Sequence, residues 1–318
     1  MKAAIVAGPN QVPVYGEFQE PAPRAGQEVI TVKASALSNL AKSRASGEHY
    51  SSSGRFPLVA GVDGVGLSPK GQRLYFVLPT PPFGAMAEKV LVPQENCFPL
   101  PDEVDDVTAA AIANPGMSSM AALKYRAAFK RGETVLVNGA TGTAGRLAVQ
   151  IAKYMGAKKV VATGRNAEAL KALSVLGADG VIPIGDAGDG FEGALKVQFG
   201  GDGIDVVLDY LWGSSAERII IAGAKAGKEG APIRFVQIGS MSAPNITLPS
   251  AALRSSAITL MGSGLSSVPL KDLISSIREV MGAVVPGKFR IETTAVPLAD
   301  VEKTWNRNFG SSRLVYTL

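Results

Sequence analysis

The feature that most constrains this chain is the stretch 134–155. There an apolar, β-prone run, Thr134-Val135-Leu136-Val137-Asn138, passes without a break into Gly139-Ala140-Thr141-Gly142-Thr143-Ala144-Gly145. A helical pattern follows at once, with Ala144, Leu147, Ala148, Ile151, Ala152 and Met155 spaced to form one apolar face. Strand, glycine turn and amphipathic helix in that order predict the opening βα unit of a doubly wound sheet, and with it an anion site. The helix start offers unpaired N–H groups and the positive end of the helix dipole. Gly142 leaves room for a pyrophosphate to approach the backbone, and Gly145 lets helix and strand pack closely. Ala140 stands where the dinucleotide fingerprint prefers its first glycine, so on the motif alone a tight turn in another α/β protein is the competing reading.

The end of the next strand-like run sharpens the first reading. Gly164-Arg165-Asn166 stands there, with Arg165 twenty positions beyond Gly145. An NAD-binding chain usually places an acid at this point, to hold the ribose hydroxyls and repel a 2′-phosphate. A planar guanidinium can instead pair with that phosphate in two hydrogen bonds. The expected cofactor is therefore NADPH, with a surface arginine capping the strand end as the alternative.

At 318 residues the chain is about twice the size of a common domain, and its 46 % apolar content is enough for two cores. Up to about residue 107 the pattern is of short strands (2–7, 28–34, 85–93) interrupted by prolines, which predicts a β-rich domain. Beyond it, β-branched runs at 134–138, 159–163, 180–183, 204–209, 233–238 and 258–261 alternate with helical stretches, which predicts parallel pairing through crossovers. A helical segment at 270–281 and a strand-like 313–317 complete the chain, and the last strand is expected to return to the first domain.

Several function classes are disfavoured. The net charge of +5 is spread over single and paired basic residues with no basic–aromatic stripe, so a nucleic-acid surface is not expected. Met1 leads into an apolar stretch broken by Gly8 and Pro9, too short for a signal-peptide core or a membrane span, so a cytoplasmic location is expected. With Cys97 the only cysteine and His49 the only histidine, neither an intrachain disulfide nor a cysteine-rich metal knuckle is available. Cys97 sits in an apolar context and reads as a structural thiol.

Motifs along nearly the whole chain resemble the zinc-free branch of the medium-chain dehydrogenases/reductases, the quinone oxidoreductase (zeta-crystallin-like) group. They are Met1-Lys2-Ala3, the 32–47 segment, Gly61-Val62-Asp63-Gly64, Phe83-Gly84-Ala85-Met86-Ala87-Glu88, Gly116-Met117-Ser118-Ser119 and the run 130–137. Leu176-Gly177-Ala178-Asp179, the run 205–209, Gln237-Ile238-Gly239-Ser240 and Pro297-Leu298-Ala299-Asp300-Val301 follow. The resemblance implies an α/β fold with a GroES-like, β-rich catalytic domain (1–115 and 257–318) and a Rossmann NADPH-binding domain (116–256), with the active site in the cleft between them. It implies that the nicotinamide lies against the Ser118 region, the Tyr210-Leu211-Trp212 loop, and Gly239 and Ser240, and touches the Gly262-Ser263-Gly264 segment.

The departures from the family pattern matter as much. Zinc-binding members carry a cysteine in the segment of Leu37-Ser38-Asn39 and a histidine at Val62, and this chain has neither. Since catalytic zinc needs three protein ligands, no metal site is expected. Where relatives often show Asn-x-x-Asp, this chain has Ser38-Asn39-Leu40-Ala41, and Ser38 is expected to touch substrate. The region 63–78 is shorter than usual. Tyr50 is the candidate for substrate contact and proton donation, with a loop aromatic covering the first domain as an equally open reading.

Without a metal Lewis acid to stabilise an alkoxide, the workable acceptors are quinones and conjugated enones, which delocalise charge themselves. The alternatives are an enoyl-thioester reductase of the same family and a non-catalytic NADPH-binding protein. A homodimer is expected through the apolar edge segment 257–261.

Overall fold

The computed structural model describes residues 1–49, 52, 54–185 and 190–318. The chain forms two compact units, one from Met1–Asn114 with Ile291–Leu318 and the other from Pro115–Arg290. The family resemblance implies a second junction at 257, whereas the two compact units divide after Arg290. The reason is hydrogen bonding: the strand beginning at Ile258 pairs in parallel with the strand beginning at Ile233 and so belongs to the sheet of the central unit.

The terminal unit is built from β1 (Lys2–Val6), β2 (Val14–Glu17), β3 (Gln27–Ala36), α1 (Asn39–Ser46), β4 (Leu58–Val59), β5 (Asp63–Leu67), β6 (Arg73–Val77), β7 (Lys89–Pro93) and β8 (Cys97–Pro99). Most of its pairing is antiparallel. β1 lies between β2 and β4, and β3 is long enough to pair with both β5 and β7. The short region 63–78 is a closed hairpin, β5 against β6 from Asp63↔Val77 to Leu67↔Arg73. One expected strand, 85–93, is reduced to β7 at its end. Ala85, Met86 and Ala87 are fully buried but bond singly, as Met86 does to Ala60 O and Ala4 N to Met86 O.

α2 (Asp106–Ala121) contains the boundary between the units. The central unit then follows with β9 (Thr134–Asn138), α3 (Thr143–Tyr154), β10 (Lys159–Gly164), α4 (Ala167–Lys171), β11 (Gly180–Pro183), α5 (Phe191–Gly200) and β12 (Val206–Asp209). α6 (Gly213–Ala226), β13 (Ile233–Gln237), α7 (Ser250–Arg254), β14 (Ile258–Gly262) and α8 (Leu270–Ala283) complete it. Its sheet is wholly parallel, in the order β11-β10-β9-β12-β13-β14. Every residue of β9 and of β12 is buried, as covered parallel strands require. Leu147, Ala148, Ile151 and Ala152 of α3 are fully buried, the apolar face that the spacing predicts.

The tail returns to the terminal unit as expected. β15 (Thr293–Pro297) pairs in parallel with β16 (Arg313–Thr317), which pairs antiparallel with β3; α9 (Val301–Thr304) lies between β15 and β16 in sequence. Among the described residues no helix is long and apolar enough to cross a membrane.

Candidate functional site

The sheet order reverses direction between β9 and β12: successive strands run outward from β9 through β10 to β11 on one side, and from β12 to β14 on the other. In open α/β sheets ligands settle outside the carboxyl ends of the strands at such a switch point. The register makes those ends coincide, because Asn138 sits opposite both Thr163 and Asp209, Asp209 opposite Gln237, and Gln237 opposite Gly262. The turns that follow are therefore gathered at one edge of the sheet. They carry the candidate cofactor residues Ala140 to Gly145, Gly164 to Asn166, Leu211 and Trp212, Gly239 and Ser240, and Ser263 and Gly264.

The glycine turn divides its work in a way the motif alone does not reveal. Gly139 takes the left-handed conformation, at φ +87°, that the first turn requires, so a glycine is not needed at the fully buried Ala140. Gly145 is demanded by packing, since a Cβ there would lie 2.3 Å from Gly139 O and 2.6 Å from Ala140 Cα. Gly142, the exposed N-cap of α3, is different. An added Cβ would meet only Gly139 O, at 3.7 Å. The protein's own packing leaves that side open, and Thr143 and Ala144 begin α3 directly after it.

A buried polar network fixes the turn. Gly139 and Ala140 donate their N–H groups to Thr163 O, and Thr163 Oγ1 donates to Asn138 Oδ1 at 2.7 Å. Asn138 Nδ2 donates to Asp209 Oδ1 and Ser215 Oγ. The Asp209 carboxylate also accepts the N–H groups of Leu211 and Trp212. Burial pushes the Asp209 carboxyl up to about 6, a rise that these hydrogen bonds partly oppose. Trp212 is held at φ +58°, ψ −159°, a conformation costly for a residue with a Cβ, and the two bonds to Asp209 help to hold it there. Gln237, Ser240, Phe235, Leu260 and Met261 join Trp212 around a cavity of about 450 Å³.

On the neighbouring strand, a Cβ at Gly164 would press on Thr141 Cγ2 at 2.8 Å, which places the end of β10 against the glycine turn. Arg165 follows, exposed and engaged in no hydrogen bond or ion pair among the described residues. Asn166 caps α4 with its Oδ1, which accepts from Ala169 N at 3.0 Å.

The remaining candidates fare unevenly. Ser118 Oγ donates to Pro115 O, while its neighbour Ser119, in the same motif, shares a 2.8 Å hydrogen bond with the buried Tyr210 hydroxyl. Burial pushes that phenol up to about 12. Ser263 donates its N–H to Gln237 O, and Gly264 donates its own to Ser267 Oγ. Ser38 is 3 % exposed and caps α1, accepting from Ala41 N at 2.9 Å, a structural use of the hydroxyl expected to touch substrate. Tyr50 lies outside the described residues. The hydrogen bonds that join Asn138 to Thr163 and Asp209, and Ser119 to Tyr210, do not stand out in the sequence. The available signal is a polar residue ending each of several otherwise apolar strands.

Comparison with known proteins accords with this geometry. The family described as zinc-binding dehydrogenase matches residues 144–285. A probable NADPH-dependent quinone reductase from Emericella nidulans is 29 % identical, with 96 % of each chain covered. A quinone oxidoreductase from Lama guanicoe is 30 % identical, over 72 % of this chain and 74 % of its own. The chain belongs to the quinone oxidoreductase family. The quinone oxidoreductase of Thermus thermophilus, solved alone and with NADPH, superposes with a TM-score of 0.81 at 25 % identity, with 100 % of each chain covered.

The zinc named in the family description does not fit the residues present in this quinone oxidoreductase family member. Val62 is apolar and 4 % exposed, and Ser38 Oγ is committed to a helix cap. Cys97 donates to Pro93 O, and burial pushes its thiol up to about 12, far from the thiolate that zinc requires. Among the described residues, no group of three or more His, Cys, Asp or Glu side chains is placed to hold a metal ion.

Proposed function

We propose that this protein is an oxidoreductase that uses NADPH to reduce a quinone or a conjugated enone, without zinc. One juxtaposition carries the reading: a glycine turn open at Gly142 stands beside a strand end that presents the unengaged Arg165. The Gly139–Gly145 turn and the first turn of α3 would hold the pyrophosphate, Arg165 the 2′-phosphate, and Gly164 the adenosine side. Ser118, Leu211, Trp212, Gly239, Ser240, Ser263 and Gly264 would surround the nicotinamide. The names of the relatives point the same way, to quinone reduction and to NADPH.

The cofactor supplies a hydride when bound. The chain's own contribution is to bind, orient and exclude water. Apolar walls such as Trp212, Phe235 and Leu260 suit a flat ring, and holding it at near-attack distance can supply several kcal/mol of the rate enhancement. A quinone or enone spreads the incoming charge over its own conjugated system, so the vacant metal-ligand positions Ser38 and Val62 are no handicap. Proton delivery to the product oxygen is assigned to water or to a hydroxyl, with Tyr50 the candidate.

The protein is further proposed to act in the cytoplasm as a homodimer formed through β14. That strand is the open edge of the central sheet, its residues are only partly covered, and an uncovered edge invites pairing. The test of the whole reading is loss of NADPH absorbance on adding a simple quinone.

A further inference from the structure

The terminal unit contains a second cavity, remote in sequence from the nucleotide turn. It measures about 330 Å³, within the range of pockets that take a small organic ligand. Its walls are chiefly apolar, with Phe56, Phe83, Leu58, Val62 and several prolines, and among its described lining residues there is no Asp or Glu. Two arginines break that apolar surface. Arg55 is exposed and Arg44 is half-buried on α1.

Arg44 is the anomaly. Its backbone carbonyl serves the helix end, accepting from Gly47 N, but its guanidinium makes no hydrogen bond or ion pair among the described residues. Three other partly covered arginines are paired, Arg73 with Asp106, Arg218 with Glu192 and Arg234 with Glu133, and the buried Arg313, whose Nε makes no hydrogen bond among the described residues, still feels the charge of Asp63. Around Arg44 burial alone lowers the pKa, with no carboxylate to raise it, and burial, aided by the Arg44 charge, lowers that of His49. Desolvating a cation without a counter-charge is costly, and the cost is recovered when an anion enters.

We infer that this cavity is a binding site for a small aromatic carboxylate, its ring between Phe56 and Phe83 and its carboxylate on Arg44, with Arg55 adding positive charge. A guanidinium meets a carboxylate in a two-bond fork, and the partly enclosed setting strengthens the pair over its value in water. The apolar walls favour a ring-bearing anion over a free inorganic one. The site lies in the terminal unit alone and does not depend on the NADPH reading.

The test uses the full-length protein and titrates it calorimetrically with benzoate, benzamide and inorganic phosphate. Benzoate is expected to bind about 10- to 100-fold more tightly than benzamide, the contrast that a charge-assisted hydrogen bond gives. It should also bind more tightly than phosphate, and Arg44→Gln should abolish the preference for benzoate over benzamide. In the unaltered protein, benzoate should slow modification of Arg44 by phenylglyoxal, a readout that needs no variant to fold. Equal binding of benzoate and benzamide, tighter binding of phosphate, or no protection of Arg44 would each overturn the inference. Because none of these measurements involves NADPH, a failure of quinone turnover would leave their outcome unaffected.

Discussion

Asn138 Nδ2 donates to Asp209 Oδ1 at 2.7 Å, joining the ends of the two strands between which the nucleotide sheet changes direction. Through Thr163 on one side and the backbone of Leu211 and Trp212 on the other, this bond holds the glycine turn and the tryptophan turn in one frame. Asn138→Ala would leave a buried carboxyl with one donor fewer, which costs about 1–3 kcal/mol. Urea unfolding should register that loss, and the Kd for NADPH should rise because the turn is no longer braced.

The two inner glycines of the turn should respond oppositely to alanine. Gly145→Ala forces a methyl against Gly139 O and Ala140 Cα, so a stability loss of about 1–3 kcal/mol or more is expected from overpacking. Gly142→Ala meets no close atom at a permitted φ of −76°, and its thermal midpoint should stay near that of the unaltered protein. NADPH binding should nevertheless weaken at least tenfold, because the methyl would enter the space proposed for the pyrophosphate. Equal destabilisation by both would show that Gly142 serves packing alone.

A pH dependence follows from Asp63. Its carboxyl is buried, accepts from the Tyr75 hydroxyl at 2.5 Å through Oδ2, and has no hydrogen-bond partner at Oδ1 among the described residues. Burial pushes its pKa up to about 6, with the Tyr75 bond and the charge of Arg313 opposing the rise. A folded-state pKa above the unfolded value means that the folded form holds its proton more tightly, so stability is lost as pH rises from about 4 to about 6. Relative to Asp63→Asn, the unaltered protein should lose on the order of 2–3 kcal/mol across that window. Denaturant melts of both proteins at pH 4 and pH 7 measure the difference.

The central sheet is readable from the sequence because its strands are fully covered and hence continuously apolar, as in Val135-Leu136-Val137 and Val206-Val207-Leu208. The terminal unit is harder. β5 carries Gly64 and Gly66, whose Cβ atoms would strike Ala34 O and Thr31 O, and such glycines read as turns when only the sequence is in view. The junction near Arg290 escapes the sequence because α8 and β14 have the same texture whichever unit they join, and only the pairing of Ile258 with Ile233 decides it. Within the proposed site, Arg165 is singled out by its spacing from Gly145. The roles of Asp209, and of Ser38 as a cap, depend on hydrogen bonds that no spacing encodes.

Zinc and assembly can be checked on the purified protein. Elemental analysis should find no stoichiometric zinc, and chelators should leave turnover unchanged. Light scattering at micromolar concentration should give the mass of a dimer, and Leu260→Lys on β14 should shift it toward the monomer by placing a charge on the pairing edge.

Cofactor choice is proposed to rest on the Arg165 side chain. Arg165→Ala should raise the Kd for NADPH by one to two orders of magnitude, the loss expected for a charge-assisted pair of about 1.5–3 kcal/mol, with NADH little affected. Equal weakening of both cofactors would assign Arg165 to the strand end alone.

The most direct measurement compares initial rates of NADPH oxidation with a simple quinone and with a conjugated enone against NADP⁺ reduction with ethanol or benzyl alcohol, all at matched enzyme concentration. Rapid NADPH loss is predicted with at least one of the conjugated acceptors, and turnover of the alcohols slower by orders of magnitude. Alcohol oxidation as fast as any quinone or enone reduction, or no acceptor-dependent loss of NADPH at all, would contradict the proposed chemistry.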